Sequence, residues 1–84
     1  MGTISIYEIE GEFFKSIKHF ERSGHPVHAR QCELFARDLA SRYGTATPKG
    51  ARWVARADRW KKIAEDIAAS QALDLTAQEA AKSP

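Results

Sequence analysis

One cysteine, Cys32, is all that the 84 residues contain. No internal disulfide can staple the fold, so the disulfide scaffold of small secreted domains is excluded and a reducing cytoplasm is the expected setting. No apolar run approaches the roughly 20 residues of a membrane span. The opening MGTISIYEIEGEFF carries Glu8, Glu10 and Glu12 where a secretory signal needs a basic region and then an apolar one. Position 6 is Ile6 in place of the Ser or Thr of a myristoylation signal. The five glycines have no phosphate-loop spacing, the carboxylates flank no expected pocket, and no internal repeat or low-complexity linker divides the chain. These absences leave a non-enzyme without a cofactor.

What is present is enough for one small core. Apolar residues make up 43% and charged residues 29%, the profile of a soluble helical domain rather than a disordered chain. At this length little interior remains to enclose a substrate, so function is expected at the surface. The net charge of +2 permits an anionic partner without requiring one.

Helix signals divide the chain into three. Ser5 and Glu8 form the S-x-x-E capping box, and Ile4 and Ile9 stand where a hydrophobic staple closes around it. Apolar residues at 6, 9, 13, 17 and 20 then hold helical spacing, and Gly24 is the expected C′ residue. Pro26 suits the first turn of a second helix, whose stripe is His28, Cys32, Phe35, Leu39 and Tyr43. Thr47 and Pro48 read as N-cap and N1 of a third, with Trp53, Ala57, Trp60, Ala64 and Ile67 along its centre. The prediction is an all-α, up-down-up three-helix bundle with helices over 6–22, 26–43 and 48–72. Residues 1–73 form its single domain, and 74–84 a tail in which Thr76 to Lys82 can make a short fourth helix, frayed when alone.

The stretch GTATPKGARWVARADRWKK, Gly44 to Lys62, raises the functional question. It holds both tryptophans, and Lys49, Arg52, Arg56, Arg59 and Lys62 follow at steps of three or four to form a ridge on one shoulder of the third helix. A helix dipole disfavours cations near its N-terminus, so something must compensate. One compensator is internal. In an up-down-up bundle the first and third helices run parallel, which sets Glu8, Glu10 and Glu12 level with Lys49, Arg52 and Arg56, and Lys15, Lys18 and Arg22 level with Glu65 and Asp66. The other is an anionic partner, either protein or the phosphates of DNA or RNA. Spacing favours the internal pairing, and the two tryptophans are expected in the core. A helix-turn-helix is not indicated, because the second helix is long and the third spends its centre on Trp and Ala.

His19, His25, His28 and Cys32 fall close together, but their spacing matches no zinc pattern, so no metal is assigned. Cys32 is expected to face the core with no acid placed to orient a histidine, which removes a Cys–His nucleophile. The expected function is a small non-enzymatic binding module acting through protein–protein contact. Bacterial, phage or plasmid accessory proteins, inhibitors among them, have this format. Direct nucleic-acid binding is the alternative. The candidate contact residues are Lys49, Arg52, Arg56 and Arg59 with Arg30, Arg37, Val27 and Leu34, a surface that could also serve a homodimer.

Overall fold

The computed structural model describes the backbone of residues 5–82 and the side chains of residues 5–73. Three helices follow one another: α1 (Ile6–Ser23), α2 (Pro26–Tyr43) and α3 (Pro48–Lys82). Ser5 caps α1 by accepting the Glu8 N–H at 3.2 Å. The Ile4 arm of the expected staple lies outside the described residues. Gly24, at φ 64°, closes α1 with its N–H on the Phe20 carbonyl at 2.7 Å, a left-handed C-cap that a side chain would strain. Thr47 caps α3, its Oγ1 accepting the Gly50 N–H at 3.0 Å and donating to the Gly44 carbonyl at 2.6 Å.

The arrangement is the expected up-down-up bundle. Phe13 meets Trp53 and Phe20 meets Trp60; advancing seven residues on α1 advances seven on α3, so the two run parallel. Buried residues come from all three helices: Ile9 and Phe13, then Cys32, Ala36, Leu39 and Ala40, then Trp53 and Ala57. Fully burying one aliphatic side chain such as Leu39 contributes about 1.5–3 kcal/mol.

Two features depart from the sequence reading. First, the chain makes no break after Ala72: one 35-residue helix continues through the region where a separate fourth helix was expected. Nothing between Ala72 and Thr76 stops a helix, because no Gly or Pro intervenes. Second, α2 turns a face of small residues, Ala29, Ala36 and Ala40, into the core beside its expected stripe. That lets α2 and α3 approach closely where they join. A Cβ placed on Gly50 would overlap the Gly44 carbonyl and stand 3.1 Å from the carbonyl oxygen of Ala40.

Gly50→Ala therefore forces the α2–α3 junction apart and should cost about 2–3 kcal/mol. Gly11, in the middle of α1 with nothing within 4 Å of its Cβ position, is the control: Gly11→Ala should stabilise by about 0.5–1 kcal/mol. Thermal melts should show a fall for the first and a rise for the second.

Candidate interaction groove

The backbones of α1 and α3 nowhere come within 8 Å, Cα to Cα, among the described residues, whereas α2 packs on both. Large side chains span the gap. The Phe13 and Trp53 rings meet edge to face at 5.1 Å and 88°, and Phe20 and Trp60 at 5.4 Å and 87°. Beside these props the surface between α1 and α3 stays open.

Two clefts occupy it. One, of about 350 Å³, is lined by Phe13, Phe14, Ile17, Trp60 and Ile63 with Arg56 and Arg59 on its rim. The other, of about 260 Å³, lies between Glu10 and Phe14 on α1 and Lys49, Arg52, Trp53 and Arg56 on α3. They share Phe14 and Arg56, so they form one groove with an apolar, aromatic floor and a cationic wall. Phe14 is 53% exposed in it.

The expected pairing of the ridge with α1 does not form. Glu10 accepts the Tyr43 hydroxyl at 2.8 Å, and Glu12 pairs with Lys15 at 3.4 Å on its own helix. At the other end Glu65 pairs with Lys61 at 4.0 Å. No ion pair joins α1 to α3 among the described residues. Nearer partners take the carboxylates: the Tyr43 hydroxyl takes Glu10, and lysines one turn away on the same helix take Glu12 and Glu65. The ridge instead leans on rings: the Arg56 guanidinium lies 4.5 Å from the centre of the Trp53 ring, and the Lys49 ammonium 4.7 Å from that of Tyr43. The Tyr43 hydroxyl is held above its usual pKa range, first by its hydrogen bond to Glu10 and then by burial.

No family model, curated protein or solved structure matches this chain.

The α2 residues of the expected contact surface lie elsewhere. Glu33 is buried and clamped by Arg30 at 2.8 Å and Arg37 at 2.9 Å, and Arg37 reaches on to Asp58 of α3 at 3.1 Å. Asp58 projects about 200° round α3 from Arg56, at 100° per residue, so this ionic cluster and the groove occupy different sides. Val27 and Leu34 are 48% and 65% exposed on α2. Burial pushes the Glu33 carboxyl upward, but the hydrogen bonds and charges of its two arginines outweigh it and leave the group below the usual carboxylate range.

The histidines serve the α1–α2 turn. His25 Nδ1 accepts the Val27 N–H at 3.1 Å as the N-cap of α2, and the His28 ring stacks on His19 at 5.4 Å. Histidine is not among the usual N-cap residues, so sequence gave no hint of this role. Cys32 is wholly buried, and desolvation pushes its thiol up to about 11, well away from a nucleophile at neutral pH. Among the described residues, no group of three or more His, Cys, Asp or Glu is placed to hold a metal ion, and no helix is long and apolar enough to cross a membrane.

The Glu33 clamp gives a pH signature. Its folded pKa lies below its unfolded one, so its stabilisation is fully present above the unfolded value of about 4.3 and is lost as pH falls through the folded value. Denaturant midpoints taken from pH 6 down to pH 2.5 should fall more steeply for the native chain than for Glu33→Gln. Equal slopes would show that the clamp adds nothing.

Proposed function

We propose that this chain is a small non-enzymatic binding module that receives a protein partner in the α1/α3 groove. One observation carries this: Lys49, Arg52, Arg56 and Arg59 line one wall of an open aromatic cleft and have no carboxylate partner among the described residues. Arginine beside exposed apolar surface is the usual composition of an energetic anchor in protein interfaces. A groove with an apolar floor and a charged rim suits an amphipathic segment, whose apolar side chains fill the floor and whose carboxylates meet the wall.

Nucleic-acid binding is supported less well. Single strands are held by bases stacking on free aromatic faces, and the two tryptophans serve first as packing groups, with Trp60 half-buried in the groove floor. Trp53 is buried with its face under Arg56, and Trp60 packs edge to face on Phe20. The exposed aromatic of the groove is Phe14, at 53%. Phosphate contacts alone would give binding that collapses with salt.

Chemical cross-linking in the source cells, followed by recovery of this chain after nuclease treatment, tests the proposal. Adducts should be protein and survive the nuclease. Arg52→Glu, Arg56→Glu and Arg59→Glu together should abolish them, while Leu34→Ser on α2 should not. Adducts that vanish with nuclease, or mobility shifts of DNA or RNA that weaken steeply above about 50 mM salt, would transfer the groove to nucleic acid.

A further inference from the structure

The charges of α3 are sorted along its length. From Pro48 to Lys62 it carries Lys49, Arg52, Arg56, Arg59, Lys61 and Lys62 against Asp58 alone; from Ile63 to Lys82 it carries Glu65, Asp66, Asp74 and Glu79 against Lys82 alone. Both halves run against the helix dipole, which favours anions at the N-terminus and cations at the C-terminus. A single helix gains nothing from this order. A second α3 laid antiparallel reverses it, setting each basic half beside an acidic half and opposing the two dipoles.

The shape agrees with the charge. Past Ile67 the bundle no longer covers α3: every residue from Ala68 to Leu73 is exposed, Leu73 at 71%, and the helix continues to Lys82. A helical segment of this size is marginal in water without something to pack on. Residues 68–82 make an extension of roughly 22 Å, at 1.5 Å per residue. The groove runs beside α3 from Lys49 to Ile63, a length of roughly 21 Å on the same rise.

We propose that the groove is filled by the extension of α3 from a second copy of this chain, reciprocally, in a two-fold antiparallel pair. This rests on the groove being a protein-binding surface and names its partner. Setting Leu75, the middle of the extension, beside Arg56, the middle of the groove, places Glu79 level with Arg52 and Asp74 next to Arg56. The axis then falls at Glu65 and Asp66, and Glu65 keeps its own pairing to Lys61 there. The contact is isologous: both grooves and both extensions are used, so assembly closes at two and does not grow into filaments.

Sedimentation equilibrium of the full chain tests this. The native protein should run at twice its 9.4 kDa mass. A basic-half variant (Arg52→Glu, Arg56→Glu, Arg59→Glu) and an acidic-half variant (Asp74→Lys, Glu79→Lys) should each weaken self-association at least tenfold. Mixed in equal amounts they should recover the dimeric mass, because the reversed groove of one accepts the reversed extension of the other while the two native halves also match. A native chain still monomeric at about 1 mM, or a mixture that stays monomeric, overturns the second-copy assignment. A dimer that both variants leave intact also overturns it, since it would use another surface. Nuclease-resistant protein adducts on a chain that is monomeric in solution would leave the groove as a binding surface and remove only the second copy as its occupant.

Discussion

Two edge-to-face aromatic pairs, Phe13 on Trp53 and Phe20 on Trp60, determine what the surface of this protein can do. Each pair contributes about 0.5–1.5 kcal/mol beyond its buried area, and together they fix α1 parallel to α3. Their size matters as much as their energy. Rings bridge the two helices where their backbones stand apart, with no Cα of α1 within 8 Å of one of α3 among the described residues. The α1 carboxylates turn to other partners, Glu10 to the Tyr43 hydroxyl and Glu12 to Lys15, Phe14 stays exposed, and the groove between the helices is open.

The other side of the bundle shows the opposite choice. α2 and α3 bury small residues, Ala36, Ala40 and Ala57, and Gly50 sits against the carbonyls of Gly44 and Ala40, so backbone approaches backbone there. Ionic contacts concentrate there, with Glu33 held by two arginines and Arg37 linked to Asp58. α2 and α3 thus form a close-packed hairpin, and α1 packs directly on α2 while meeting α3 through its aromatic rings. A loose edge in so small a core is where a partner segment can add the most burial with the least rearrangement.

Much of the fold was legible in the residues. Ser5, Gly24, Pro26 and Thr47 mark the helix boundaries because each supplies a specific backbone need, a cap acceptor, a positive φ or a missing N–H. Helical spacing identified Phe13, Cys32, Leu39 and Trp53 as core. The continuity of α3 was harder to read, because a repeated S/T-x-x-E pattern at Thr76 resembles a helix start while nothing upstream ends the helix. The fate of the ridge was beyond one-dimensional reading. Charge registers on two parallel helices look complementary, but each carboxylate chooses among neighbours in three dimensions, and here Tyr43, Lys15 and Lys61 are the ones taken. One clue was available: Phe14, next to Phe13, makes the apolar band of α1 wider than a single neighbour can cover.

α1 and α3 are joined by aromatic contact and not by charge among the described residues. Paired double-mutant cycles measure this directly. One cycle takes Phe20 and Trp60, the other Glu10 and Arg52, which face each other across the groove. A coupling of about 0.5–1.5 kcal/mol is predicted for the aromatic pair. For the charged pair it should be close to zero, as for ions that share a surface but do not touch. A charged-pair coupling equal to or larger than the aromatic one would mean that the two helices are zipped by their charges, the groove is closed in solution, and the ridge is spent inside the fold.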